Sequence, residues 1–342
     1  MDFSLSEEQT AIFDMARDFG ATHIAPFARG WETAGEIPKT LWPQLAELGF
    51  GGLYVREQSG GSGLTRLDAT LVFEALSMAC PSVAAFLSIH NMCAAMIDKF
   101  GSEDLRAKYL TKALNMEMFF SYCLTEPDSG SDAAALKTKA VKCNTAYSLT
   151  GTKAFISGGG YSDAYIIMAR TGDDSPKGIT ALIVEDGTQG LSFGCLEDKM
   201  GWRSQPTRQV QLDDCKTPIE NLLGEVGHGF SYAWPDLMVG GLILRPAHSV
   251  QPNRPLTKRA HIWRSVRPSG NASINSKLCN FASRIWRLSY NLAVLSCGKR
   301  RGSWTTARQT PRISAPWPKN WLRIWEAKWP MIACNCTVAM AI

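Results

Sequence analysis

Tyr122-Cys123-Leu124-Thr125-Glu126-Pro127-Asp128-Ser129-Gly130-Ser131-Asp132 opens as a strand-like apolar run and breaks into small residues rich in hydroxyls. Its last four residues offer hydroxyls and backbone N–H donors in a turn, the groups that hold a phosphate where no glycine-rich loop opens a helix. Thr125, just before them, can hydrogen-bond a heteroaromatic ring. Turns of Ser, Gly and Asp are mostly only turns, so the surroundings decide. The stretch divides the chain: before it apolar residues recur at helical spacing, and from Met118 they follow a strand period for about a hundred residues.

On the helical side, Ser6-x-x-Gln9 has the form of a capping box, and Ile12, Phe13, Ala16 and Phe19 predict a helix from Glu7 that Pro26 ends. Leu41, Leu45 and Leu48 predict a second, stopped at Gly49-Phe50-Gly51-Gly52. Ser59-Gly60-Gly61-Ser62-Gly63 reads as a flexible loop and Asp68 to Ala79 as a third helix. A fourth, Val83 to Phe100, is apolar almost all round and therefore expected to lie between other helices. With no acid or nucleophile local to it, His90 in that helix is expected to be a satisfied core residue. A fifth helix begins at Glu103-Asp104 and runs to about Leu114. On the strand side, Tyr147–Thr150 and Ala154–Ser157 flank Gly151-Thr152-Lys153 as a hairpin, and Tyr165–Ala169 and Ile179–Val184 are β-branched runs. The expected fold class is α+β, with a helical domain over 1–117 and a β-barrel or sandwich domain over 118–230.

The formal charge of +5 on 342 residues hides a division. Residues 231–342 hold 17 Lys+Arg but only Asp236 and Glu326 as acids, which leaves 19 basic against 29 acidic residues before them. Eight of the 11 Trp also fall there, from Trp234 onward, with no helix or strand period. This tail reads as aberrant, and a disordered or poorly folded segment is expected. A basic, Trp-rich tail that binds nucleic acid or an acidic surface is the competing reading, and a non-catalytic remnant is another. The ten Cys form no CxxC pair, which favours reduced thiols, and no metal site is expected. The start, Met1-Asp2-Phe3-Ser4-Leu5, lacks the marks of a signal or transit peptide, and no membrane segment is expected. A bacterial cytoplasm is the expected location, or the mitochondrial matrix if the source is eukaryotic. GxGxxG, GxxxxGK[ST], GxSxG and HExxH are all absent from the sequence.

Four motifs in fixed order give the opening stretch its context. Tyr122–Asp132 is followed by Gly151-Thr152-Lys153-Ala154-Phe155-Ile156-Ser157-Gly158, then by Lys199-Met200-Gly201-Trp202-Arg203-Ser204-Gln205-Pro206-Thr207, and then by Asn221-Leu222-Leu223-Gly224-Glu225-Val226-Gly227-His228-Gly229-Phe230. Together they resemble the acyl-CoA dehydrogenase family over roughly the first two-thirds of the chain. Leu64-Thr65-Arg66-Leu67-Asp68 and Ser88-Ile89-His90-Asn91-Met92-Cys93 resemble its isobutyryl-CoA branch, which belongs to valine catabolism. The resemblance implies a C-terminal four-helix bundle, FAD held between β-domain and bundle, an acyl-CoA substrate, electron-transferring flavoprotein as acceptor and a homotetramer, with neither nucleic acid nor membrane as partner. It further implies that Tyr122, Cys123, Leu124, Thr125, Glu126, Pro127, Asp128, Ser129, Gly130 and Ser131 contact FAD, that Ser131 also meets the acyl-CoA, and that Phe155, Ile156 and Ser157 pack along the flavin.

The reaction implied removes a proton α to a thioester while hydride leaves the β-carbon for flavin N5, which needs a carboxylate base in a dry cavity. The base belongs to the C-terminal domain, where this chain offers only Asp236 and Glu326, and Arg323-Ile324-Trp325-Glu326-Ala327 does not resemble the family's context. No catalytic residue is therefore assigned. Codons compatible with Ala233 to Gly240, read from the last base of Ala233, yield Met-Ala-Gly-Leu-Asp-Gly-Gly-Arg, which contains a family-like substrate-contact motif. The same offset from Ala333 permits Leu-Gln-Leu-Tyr-Gly-Gly-Tyr-Gly, which resembles the family's FAD motif. A frameshift between about Phe230 and Trp234 is expected, leaving this chain inactive.

Overall fold

The computed structural model describes residues 5–130 and 132–232. Ser131 and residues 233–342 lie outside them, and with them the expectation for the basic tail.

Helix α1 (Glu7–Phe19) starts on the expected capping box: the Gln9 N–H donates to Ser6 Oγ at 3.1 Å, and the Ser6 N–H donates to Gln9 Oε1 at 3.2 Å. It continues as a π-turn over Gly20–Ile24 until Pro26 removes the next donor. α2 (Ala28–Ala34) has no counterpart in the periodicity, because none of its seven residues is fully buried and only Ala28 and Trp31 pack against the core. Next come α3 (Trp42–Glu47) and α4 (Arg66–Ala79). The latter begins two residues before Asp68 because Thr65 and Asp68 form a second capping box. α5 (Pro81–Phe100) has 15 of its 20 residues buried, which makes it the central helix of the bundle. α6 (Glu103–Leu105) and α7 (Thr111–Leu114) flank a π-turn at Arg106–Leu110. The core around α4 and α5 centres on Trp42, Phe73 and Phe86. Tyr161 from the strand region completes it, accepting from Trp42 Nε1 at 2.7 Å and donating to Ile37 O at 3.1 Å.

The Ser59–Gly63 segment is not the flexible loop its composition suggested. The N–H groups of Gly61, Ser62, Gly63 and Leu64 donate to the carbonyls of Arg56, Gly52, Val55 and Leu53, and Ser59 Oγ donates to Asp98 Oδ1 at 2.6 Å. Gly61 is needed because a Cβ there would collide with the Val55 backbone.

Eight strands form one mixed sheet: β1 (Phe120–Cys123), β2 (Lys139–Lys142), β3 (Ala146–Ser157), β4 (Ala164–Arg170), β5 (Ile179–Glu185), β6 (Leu191–Phe193), β7 (Thr207–Pro218) and β8 (Leu222–Leu223). The order is β6-β7-β3-β2-β4-β5-β8, with β1 parallel to β4 from Phe120↔Ala164 to Cys123↔Ile167. One face of β4 and β5 (Tyr165, Ile167, Leu182, Val184) closes against Tyr147, Leu149, Val210 and Leu212 of β3 and β7, so the sheet curls around its own core. The opposite face (Ile166, Met168, Ala181, Ile183) packs with Cys93, Met96 and Ile97 of α5.

The expected hairpin at Gly151-Thr152-Lys153 is instead the middle of a single 12-residue strand. Gly151, Thr152 and Lys153 pair with Leu212, Gln211 and Val210 of β7. A turn there would leave those backbone groups unpaired inside the sheet. Gly151 serves close approach, since a Cβ would strike Thr138.

His90 is the satisfied core residue expected. Its Nε2–H donates to Ala113 O at 2.9 Å and its Nδ1 accepts from the Phe120 N–H at 3.3 Å. Burial lowers its pKa from 6.5 to about 4. The unfolded chain therefore binds the extra proton first as pH falls, so stability is full above pH 6.5 and declines from there to about pH 4. The expected loss is about 3 kcal/mol. His90→Gln keeps one donor and one acceptor, and its urea stability should lack that share of the acid dependence.

Candidate functional site

Where β1 ends, the chain turns back on itself: the Glu126 N–H donates to Ser129 O at 3.0 Å, the Ser129 N–H to Glu126 O at 3.2 Å, and Ser129 Oγ to Asp132 O at 2.6 Å. Beneath the turn lies a buried ion pair. Lys153 Nζ, from β3, meets Glu126 Oε1 at 2.8 Å and donates to Leu124 O at 3.1 Å. The remaining capacity of the carboxylate is filled by the N–H groups of Lys137 at 2.6 Å and Thr138 at 2.9 Å. The side chains of Lys153 and Glu126 are only 0% and 6% exposed. Burial raises the Glu126 carboxyl, but the Lys153 ammonium and the donors at Thr138 and Lys137 outweigh it and hold it below the ordinary carboxylate range.

Two further bonds join β1 and the turn to β3: Ser121 Oγ of β1 donates to Ser157 O at 2.5 Å, and the Ala154 N–H to Thr125 O of the turn at 2.8 Å. Between them lies a bulge, since Ala154 and Phe155 together oppose only Gln209 of β7. Phe155 adopts φ +57° and remains 40% exposed. A non-glycine residue held there costs about 1–2 kcal/mol, and such strain concentrates at functional sites. Thr125, bonded to Ala154, and Ser157, two residues past Phe155, are half-buried and carry hydroxyls that donate to no described residue.

The third motif is fastened to the same place, as the Gly158 N–H donates to Pro206 O at 2.7 Å. Inside that segment Lys199 Nζ donates to Gln205 O and to Thr207 Oγ1. Burial lowers the Lys199 pKa to about 8, against the pull of Glu32 and Glu197. Glu32 of α2 anchors the loop, accepting from the N–H groups of Arg203 at 2.8 Å and Ser204 at 3.1 Å. Met200 stands 87% exposed beside these buried anchors.

The expected site residues thus separate by what their side chains can reach. Thr125, Phe155 and Ser157 present usable groups on one ledge. Cys123 and Ile156 point into the core of the curled sheet and Leu124 into the core facing α5, leaving them only main-chain contacts to offer. Tyr122 is half-buried against that second core. The Glu126 carboxylate is consumed by Lys153 and two amides, and Ser129 Oγ by Asp132. Pro127, Asp128 and Gly130 are exposed at the tip of the turn, where Asp128 reaches Lys137 Nζ at 3.6 Å. Ser131 lies outside the described residues. Glu32 has no place in the sequence reading, and Lys153 entered it only as a turn and motif residue; the available signal for its role was a lone charge within an otherwise strand-forming run. Among the described residues no group of His, Cys, Asp and Glu could hold a metal ion, and no helix is long and apolar enough to cross a membrane.

A helical unit followed by a curled mixed sheet defines the class, the first two domains of an acyl-CoA dehydrogenase-type chain. The family profiles "Acyl-CoA dehydrogenase, N-terminal domain" and "Acyl-CoA dehydrogenase, middle domain" match residues 6–117 and 121–215. The chain belongs to the acyl-CoA dehydrogenase family. Mitochondrial isobutyryl-CoA dehydrogenase of Dictyostelium discoideum is 53% identical over 230 residues, 67% of this chain. The match spans 55% of that relative, so the chain covers little more than half its length. The structure of butyryl-CoA dehydrogenase from Megasphaera elsdenii superposes with TM-score 0.72 at 33% identity, covering 88% of this chain and 81% of that one. The FAD complex of PigA superposes with TM-score 0.76 at 27% identity, covering 87% and 80%.

Proposed function

We propose that the chain carries the flavin-facing β wall of an FAD-dependent acyl-CoA dehydrogenase for a short branched acyl-CoA of the isobutyryl kind, and that with its present C-terminal sequence it does not turn over. The observation that carries the first part is Phe155, an exposed aromatic held at φ +57°, with nearby hydroxyls at Thr125 and Ser157 that donate to no described residue. These groups fit an isoalloxazine: its apolar face requires a wall such as Phe155, and its polar edge requires hydroxyls such as those of Thr125 and Ser157. PigA, with the same fold, is known as an FAD complex. Bound FAD would supply the hydride acceptor. The work of this chain is to orient the ring, keep water off the Phe155 side and offer hydrogen bonds at Thr125 and Ser157. Ser131, by its place in the motif, is assigned to both FAD and the acyl-CoA.

The substrate class rests on the isobutyryl-CoA relative. Domain limits at 117/118 and 230/231, electron-transferring flavoprotein as acceptor, a tetramer and a matrix location for a eukaryotic source come from the same kinship. The second part rests on the sequence, since residues 231–342 supply Asp236 and Glu326 alone as acids and neither stands in a family-like context. Proton abstraction α to a thioester then has no base. The purified chain should lose any flavin on gel filtration and show no dye reduction driven by isobutyryl-CoA. Retained yellow flavin with turnover would overturn this.

A further inference from the structure

The ledge depends on a strained residue, and a strained residue persists only where its surroundings over-determine it. Phe155 is held by the Ser121–Ser157 bond from β1 and by the Ala154–Thr125 bond from the turn after it, and the second requires that turn to stay against β3. The buried charges bring these two segments together. Lys153, two residues before Phe155, reaches across to Leu124 O and Glu126, which bracket Thr125. Glu126 in turn fixes the N–H groups of Lys137 and Thr138, where β2 begins. Burying two full charges is an expensive way to stabilise a fold, because apolar residues of similar volume often do as well or better. Its distinctive product is a single register.

We propose that Lys153 and Glu126 are positioning residues of the ledge: their buried ion pair locks β3 to the Leu124–Ser129 turn and so sets Phe155 and the Thr125 and Ser157 hydroxyls in one arrangement. The assignment deepens the flavin reading and rests on it only for the ligand. Neither side chain touches the ledge's open face. Each acts through the backbone of its neighbours, Lys153 through Ala154 and Glu126 through Thr125.

The test uses the full chain as parent, Glu126→Gln, Lys153→Met and the double variant, followed by thermal unfolding, amide hydrogen exchange and quenching of FAD fluorescence at high protein concentration. Each single change strands a buried partner and should lower the melting temperature. The double variant carries no unpaired charge and should recover much of that loss. Even so, its amides over 124–130 and 154–158 should exchange about tenfold faster than the parent's, while those of β4 and β5 keep their rates. Exchange at the parent's rate in a folded double variant would overturn the proposal. Weak quenching by the parent should be lost at least about tenfold in the double variant, and quenching of equal strength in both would also overturn it. If no form quenches FAD, the flavin reading fails by itself and the exchange rates alone judge the pair.

Discussion

Gly158→Ala is expected to lower the melting temperature of the folded region by about 10 °C. Gly158 sits at φ +80°, and a Cβ there would approach Ser121 Oγ, Ser162 Oγ and the Phe86 ring closer than 3.0 Å. None of the three can yield cheaply. Ser121 Oγ is held by Ser157 O and by Ser162 Oγ, 2.7 Å away, and Phe86 stacks among Trp42, Phe119 and Tyr161 in the helical core. The left-handed backbone costs about 1–2 kcal/mol for alanine, and the crowding adds about 1–3 kcal/mol. Gly187 provides the control. Its φ is +75°, yet nothing lies within 4 Å of its would-be Cβ, so Gly187→Ala carries the backbone cost alone. The difference between the two variants in a calorimetric scan isolates the packing share. Equal shifts would show that Gly158 is required in this turn by backbone conformation only. A further consequence separates the sites: displacement of Ser121 releases Ser157 O, so Gly158→Ala should also speed amide exchange at 154–158, and Gly187→Ala should not.

What could be read from the sequence follows the range of the interactions. Ser6 and Gln9 declared the start of α1 because a capping box is closed within four residues. The all-round apolar character of α5 declared its burial for the same reason. α2 was hidden because only Ala28 and Trp31 pack against the core and none of its residues is fully buried, too short an apolar face for periodicity to report. Gly151-Thr152-Lys153 has the local chemistry of a turn, but its pairing with β7 lies about sixty residues on and outweighs the local preference. Glu126 shows the same limit at the site. The resemblance placed it in the stretch expected to contact FAD, and nothing local announced that its carboxylate pairs with Lys153 on another strand. The resemblance marked Phe155 as a candidate to pack along a flavin, but nothing in the sequence marked it as a residue at positive φ. That conformation depends on a bulge against Gln209 and on two anchors from β1.

Restoring the reading frame between Phe230 and Trp234 is expected to convert a colourless, inert chain into a yellow one that dehydrogenates isobutyryl-CoA. The present sequence offers one wall for the ring, and a planar cofactor held on one face leaves the other in water. Each 1.4 kcal/mol of interaction so lost weakens binding tenfold. Chemistry suffers separately, since a positioned general base contributes about 10²–10⁴-fold and an enclosed site as a whole about 10⁶-fold or more. Codons compatible with the chain permit Gly-Leu-Asp-Gly-Gly-Arg near position 235 and a Gly-Gly-x-Gly segment near position 338 in one shifted frame, at opposite ends of the segment in question. A single offset that recovers both should recover the intervening helical period as well, and with it the covering wall, the base and the subunit contacts. Inserting a glutamate into the present chain tests the alternative that only the base is missing. It should leave the protein colourless, because a carboxylate without the opposing wall has neither a bound ring nor a dry cavity. The decisive comparison is therefore three chains side by side: parent, parent with an added Glu, and frame-restored. Flavin retained through gel filtration and dye reduction at least about 10⁴-fold above the parent should appear in the frame-restored chain alone. A colourless frame-restored protein that is nonetheless folded would sink the frameshift account and leave the chain as a two-domain remnant.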